Sequence, residues 1–236
     1  MELLPFGDAG ILVQFEQRID PVINDKVLTL AEVIKAHAGS GFSYTIPAFC
    51  SLTVIYDPLV LSAPQAKAIL SGMIKDLDSH LNNPGRSLWV PVCYETPFAL
   101  DLDDLERWLD LSFGEIIRLH LTATYRVYMI GFLPGFTYMG TLHPALRCRR
   151  KANPRLKVPA QSVGLAGQQT GIYPVESPGG WQIIGRTPLL LFKPQQAQPF
   201  LFRPGDQVRF YSISGSEFEQ IEKEDQAGIF KLEGYD

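Results

Sequence analysis

Residues 153–188 read NPRLKVPAQSVGLAGQQTGIYPVESPGGWQIIGRTP, and this stretch decides what the second half of the chain builds. Short runs of β-formers, Val163–Ala166 and Gln182–Ile184, are each cut off by a glycine. Glycine opens positive φ for tight turns, and proline fixes φ and withholds a donor, so each run stops after a few residues. The same texture extends outward to Tyr125–Ile130, the Gly131–Phe136 segment GFLPGF, Leu189–Phe192 and Val208–Tyr211. Many short strands joined by turn chemistry predict a mainly β domain, closed as a barrel or folded as a sandwich. The residues after Ile213 are polar and read as a partly mobile tail.

Upstream, strand and helix signals alternate. Ile11–Phe15 reads as a strand, followed by Asp20-Pro21, a cap residue with proline in the first helical turn. Ile23, Val27, Leu30, Ala31 and Ile34 then share one helical face, and Gly39 ends that helix. Phe42–Ile46 and Leu52–Tyr56 read as a strand pair. Ser62 and Gln65 form a capping box ahead of a helix that buries Ala66, Ile69, Leu70, Met73 and Leu77. This order predicts a small two-layer sheet with helices on one side, with Leu88–Val92 as its last strand. Asn82-Asn83-Pro84-Gly85 is the candidate linker, dividing the α+β chain into residues 1–84 and residues 85–236. Asp101 with Asp104, and Ser112 with Glu115, mark two short helix starts.

The composition narrows the function classes. The 236 residues are 46% hydrophobic and 19% charged, the balance of a packed protein. A formal net charge of -4 supplies no long-range positive field for nucleic acid or anionic lipid. Glu2 and Asp8 stand where a secretory signal would be basic and then apolar, and no apolar run reaches the roughly 20 residues of a membrane span, so a cytoplasmic protein is expected. Cys50, Cys93 and Cys148 are far apart, and His37, His80, His120 and His143 lack helical metal spacing, so no metal site is expected.

Candidate chemistry gathers between His120 and Pro188. His120 ends a predicted helix, where the dipole favours its protonated form; it is a candidate general acid or anion ligand, or a core histidine. Gly164, Gly167 and Gly171 either aim successive N–H groups at an oxyanion or make tight barrel turns. Arg147, Arg149, Arg150, Lys151, Arg155 and Lys157 form a basic segment suited to a carboxylate or phosphate, or equally a solvated loop or a subunit contact. No G-x-S-x-G elbow or P-loop is present, so nucleophilic catalysis and a P-loop nucleotide site are not expected.

GFLPGFTYMG at 131–140, the 153–188 block and RPGDQVRF at 203–210 resemble the B-subunit family of 5-oxoprolinase, also called allophanate hydrolase subunit 1 or KipI-like. The likeness extends through Gly7-Asp8, Pro47, Tyr56-Asp57-Pro58, Pro91-Val92-Cys93-Tyr94 and Leu119-His120. It implies a small α/β amino-terminal domain followed by a cyclophilin-like β-barrel. It also implies a cyclophilin-like partner of the C type, a lactam-utilisation protein of the A type, and ATP-driven opening of 5-oxoproline to glutamate. Phosphorylating the resonance-stabilised amide oxygen would make its carbon electrophilic and supply a leaving group.

On this reading His120, Arg155 and Arg186 are the catalytic or anion-binding candidates. Gln169, Thr170, Tyr173 and Ser177 orient the amide, and Trp181 walls the pocket, in a cleft shared with the partner barrel. The family often carries Asp, Pro and Gly where this chain has His143, Cys148 and Gln161. Two other uses fit the resemblance: restraint of a sensor histidine kinase, and a carboxyltransferase-type role on urea-like amides. The chain lacks the Met-Lys-Met site for biotin and the Ser-Ser-Gly-Gly run of amidase-signature enzymes.

Overall fold

The structure, a computed structural model, describes residues 1–37, 39–77 and 85–234. The chain divides into two compact units, Met1–Pro84 and Gly85–Asp236. Asn82, Asn83 and Pro84 of the expected linker, and His80, lie outside the described residues.

In the first unit, β1 (Glu2–Pro5), β2 (Gly10–Gln14), β3 (Phe42–Pro47) and β4 (Ser51–Tyr56) form an antiparallel sheet in the order β1-β2-β4-β3. Alternate residues Leu52, Val54 and Tyr56 of β4, with Ile11 and Val13 of β2, are buried against α1 (Pro21–Ala36) and α2 (Ala63–Lys75). Helix α1 starts where the Asp20 carboxylate accepts the backbone N–H groups of Val22 and Ile23. At α2 the Ser62 backbone N–H and hydroxyl both donate to Gln65 Oε1. Tyr44 and Ile46 of β3 remain exposed, so the helices cover one face.

The second unit opens with β5 (Ser87–Cys93), which is not the last strand of the first sheet as expected. It pairs in parallel with β13 (Gln207–Ile213) along its whole length. Its alternate residues Leu88, Val90 and Val92 match the apolar interior of the barrel, and Arg86 anchors its start through Asp206. Helices α3 (Leu102–Leu109) and α4 (Phe113–Leu121) follow. The remaining barrel strands are β6 (Tyr125–Ile130), β7 (Thr137–Gly140), β9 (Ser162–Ala166), β10 (Gln169–Ile172) and β12 (Gln182–Arg186).

The strand order β10-β7-β6-β13-β5-β12-β9 closes through the β9–β10 hairpin. A separate ribbon pairs β8 (Arg155–Val158) with β11 (Ser177–Gly179). Val90, Tyr125, Met139, Val163, Ile172, Ile184, Val208 and Phe210 fill the interior, so the barrel is a packed core. A ligand must therefore bind on its outside.

Two local expectations fail. Leu189–Phe192 is not a strand; its apolar character reflects burial of Leu189 and Leu191, and only Phe192 makes an isolated bridge, to Phe200. The expected tail after Ile213 contains α5 (Gly215–Gln226). Phe218 stacks on Phe98, and the buried Asp225 accepts from Lys193 Nζ and the Leu190 backbone N–H. Only Phe218 and Ile221 are apolar in an otherwise polar helix, too short a stripe for a periodicity reading to show this docking.

Candidate functional site

The glycine-rich hairpins meet on the outside of the barrel. Gly164 and Gly171 face each other in the β9–β10 register. A Cβ on Gly164 would lie 3.1 Å from Trp181 Cβ, and one on Gly171 would lie 2.9 Å from Trp181 Cζ3. A Cβ on Gly179 would collide with the Tyr173 hydroxyl. These glycines are floors for aromatic side chains. The alternative use, as an oxyanion nest, fails because Gly164 and Gly171 lie in strand ladders and the Gly167 N–H donates to Cys148 O.

Phe136 is the hub of the aromatic cluster, with ring centroids 4.9 Å from Tyr173, 5.5 Å from Trp181 and 4.5 Å from Tyr138. Nearly perpendicular packing against Tyr173 and Trp181 suits the ring quadrupoles and locks the walls. Phe132 meets Phe136 edge-on from outside; it is 66% exposed and holds φ at 67°, an uncommon conformation for a bulky residue. Together with Arg150 and the Pro178–Gly180 turn, these five rings line a hollow of about 100 Å³. That is well below the several hundred Å³ of cofactor pockets, so a nucleotide does not fit within it. Burial raises the pKa of the Tyr173 phenol, while a hydrogen bond from the Trp181 backbone and the charge of Arg150 act against the shift.

Of the eight residues singled out in the sequence, Tyr173 and Trp181 line this hollow. Arg155, expected to hold an anion, is already paired. Its guanidinium donates to both carboxylate oxygens of Asp101, 2.6 and 2.7 Å away. Asp101 also receives Lys151 Nζ at 2.6 Å and the Ile183 backbone N–H at 2.7 Å. Asp101 thus ties α3, β8 and β12 together; its side chain was expected to cap α3 and makes no such bond. Arg186 is likewise occupied. It donates to Ala160 O and Gln161 Oε1, and it stacks over Phe98 and Phe218.

Thr170 points inward, bonded to Gly164 O and His120 Nε2, so alternation along β10 turns Gln169 to the outer face. His120 is fully buried. Tyr94 hydroxyl lies 2.9 Å from its Nδ1, and its ring stacks on Phe210. Burial lowers its pKa to about 3 and overrides the helix dipole, so the expected protonated general acid is a neutral core histidine. The Ser177 hydroxyl is buried with no hydrogen-bond partner, directly before the turn that walls the hollow.

Phe132, Phe136 and Tyr138 are not singled out by the sequence as site residues, and Arg150 is named only as one of six in the basic segment suited to a carboxylate or phosphate. The three aromatics lie in the GFLPGFTYMG motif, and Arg150 in the basic segment. Spacing alone does not distinguish Arg150 from Lys151 or Arg155, because the distinction depends on Asp101, distant in sequence. Among the described residues, no three His, Cys, Asp or Glu side chains are grouped to hold a metal, and no helix is long and apolar enough to cross a membrane.

Comparison with known proteins assigns the family. Residues 1–202 match the carboxyltransferase domain, subdomain C and D, family. The chain is 38% identical over 228 residues to the 5-oxoprolinase B-subunit of Bacillus subtilis, covering 92% of this chain and 95% of that protein. It is 37% identical over 258 residues to urea amidolyase of Lachancea kluyveri, covering 96% of this chain and 14% of the enzyme. The crystal structure titled TTHA0988 superposes with a TM-score of 0.77 at 37% identity, over 87% of this chain and 40% of that longer chain. With its closed barrel and near-complete alignment to a 5-oxoprolinase B-subunit, the chain belongs to the 5-oxoprolinase B-subunit family, within the carboxyltransferase subdomain C and D group.

Proposed function

We propose that this chain is the B-subunit of an ATP-dependent 5-oxoprolinase, acting with partners of the A and C types to bind 5-oxoproline for opening to glutamate. The observation that carries the reading is the alignment over 95% of the Bacillus subtilis B-subunit. The hollow supports it: aromatic walls suit a small ring, and a volume of about 100 Å³ suits a ligand of few atoms. The hollow itself is too small for a nucleotide, so on this reading it takes the lactam and ATP is used by the assembled complex at another position. Phe132 lines the hollow and is 66% exposed, which suits closure by a partner.

The test is reconstitution of the three proteins with ADP release measured against 5-oxoproline. The expected result is lactam-dependent ATP hydrolysis, with a raised KM in Trp181→Leu at unchanged assembly. Absence of 5-oxoproline dependence in a correctly assembled complex would reject the reading.

A second reading has its own support in the 37% identity to a urea amidolyase. Here the domain would position a urea-like amide for carboxyl transfer. Turnover with urea or allophanate, and none with 5-oxoproline, would favour it.

A further inference from the structure

The charges around the hollow are unevenly neutralised. Lys151 and Arg155 are held by Asp101, and Lys157 by Glu176. Arg150 is exposed, makes no ion pair among the described residues, and is the one charged residue among them lining the hollow. Its guanidinium carbon lies 5.9 Å from the Trp181 ring centroid. A cation–π contact attracts the charge without accepting an N–H, so the guanidinium donors remain available to a carboxylate. Tyr173, a second wall, brings a phenol hydroxyl able to donate to a ligand. The site therefore combines one fixed cation, a neutral donor and aromatic walls, with no anionic residue in its lining.

We propose that Arg150 is the specificity-determining residue of the hollow and that its ligand is a small ring compound bearing one carboxylate. The carboxylate sits on the guanidinium edge, the ring lies against Trp181 and Phe136, and Tyr173 donates to a ring carbonyl. This rests on the reading of the hollow as a substrate site, and it explains how a charged lactam would be separated from an uncharged one. Arg155, although nearby in sequence, is less suited, because its Nη1 and Nη2 donors and its charge are already taken up by the Asp101 carboxylate.

The test is calorimetric titration of the full chain, alone and with its partner subunits, using 5-oxoproline and 2-pyrrolidinone, the same lactam ring without the carboxylate. Replacing one charge-assisted contact predicts that Arg150→Gln weakens 5-oxoproline binding about tenfold to a hundredfold. It leaves 2-pyrrolidinone binding unchanged, while Arg150→Lys keeps part of the affinity. Because Arg150 is exposed, the far-ultraviolet dichroism of both variants matches that of the parent.

Equal 5-oxoproline affinity in Arg150→Gln, equal loss of both ligands, or no binding of either ligand by chain or complex would overturn the proposal. The two readings also separate. Lactam-dependent ATP hydrolysis with a KM indifferent to Arg150→Gln overturns the role of Arg150 alone. Arg150-dependent binding of L-proline, a ring carboxylate without the lactam, in a complex that lacks such hydrolysis supports the site and rejects the 5-oxoprolinase reading.

Discussion

Trp181 rests on Gly171: a Cβ at position 171 would lie 2.9 Å from Trp181 Cζ3 and 2.7 Å from the Thr137 carbonyl oxygen. The indole can shift, whereas the backbone oxygen belongs to the β7 strand paired with β10. Gly171→Ala is therefore expected to cost about 1–3 kcal/mol and to weaken ligand binding in the hollow. Gly164→Ala meets mainly side-chain atoms, at 3.1 and 3.2 Å, and its backbone neighbour at 3.4 Å, so it should cost less. Urea midpoints of the two variants check the ranking; an equal or reversed order would reject this account of the floor.

Gln161 holds φ at 64°, a left-handed conformation that glycine adopts freely and most residues avoid. Here the side chain compensates, since Oε1 accepts from Arg186 and Nε2 reaches Pro188 O. Replacing it with alanine keeps the backbone cost and discards both contacts, for a loss of about 1–2 kcal/mol. Gln161→Gly removes strain and contacts together and should lie closer to the parent. An alanine variant more stable than the glycine variant in chemical denaturation would contradict the strain argument.

These two positions also show what a sequence reading reaches. Gly171 and Gln161 are both visible as turn or strand residues in a hairpin-rich block, and that local chemistry is enough to indicate a β domain. The aromatic that one supports and the arginine that the other holds are set by pairings across the sheet. Asp101 illustrates the same limit. Its position before Leu102 marks a helix start, yet its carboxylate serves Arg155, Lys151 and Ile183, far along the chain. Helix α5 escapes for a related reason: its docking depends on Phe218 finding Phe98, more than a hundred residues upstream.

Asp101 predicts an acid-sensitive link. Burial alone would raise its pKa, but the hydrogen bonds from Arg155, Lys151 and the Ile183 N–H prevail and lower it. A carboxylate whose folded pKa lies below its unfolded value stabilises the fold above the unfolded value, near 3.9, and loses that contribution as pH falls through the folded one. Asp101→Asn should cost about 2–3 kcal/mol at pH 7, below the range for fully buried pairs because Lys151 and Arg155 reach solvent. The gap between parent and variant should narrow below about pH 4. Paired denaturation curves across that range check it, and a gap that stays constant would mean that Asp101 does not carry the charge assigned to it.

His120 predicts a titration from a different group over a different interval. Its folded pKa of about 3 lies below the unfolded value near 6.5, so between them the unfolded chain holds a proton that the folded chain lacks. Acidification from about pH 6.5 towards 3 therefore favours unfolding, by up to about 1.4 kcal/mol per pH unit from this one group. Above that interval the group has no effect. Replacing His120 with glutamine removes the titration while retaining polar contact with Tyr94 and Thr170. The difference in stability between parent and variant should then change with pH between about 6 and 4 and be flat above about 7. Buried against Phe210 and neutral at every pH where the fold is firm, His120 has no proton to give to a substrate. A flat difference across the acidic interval would mean that the folded state takes up the proton, and would make His120 a candidate acid again.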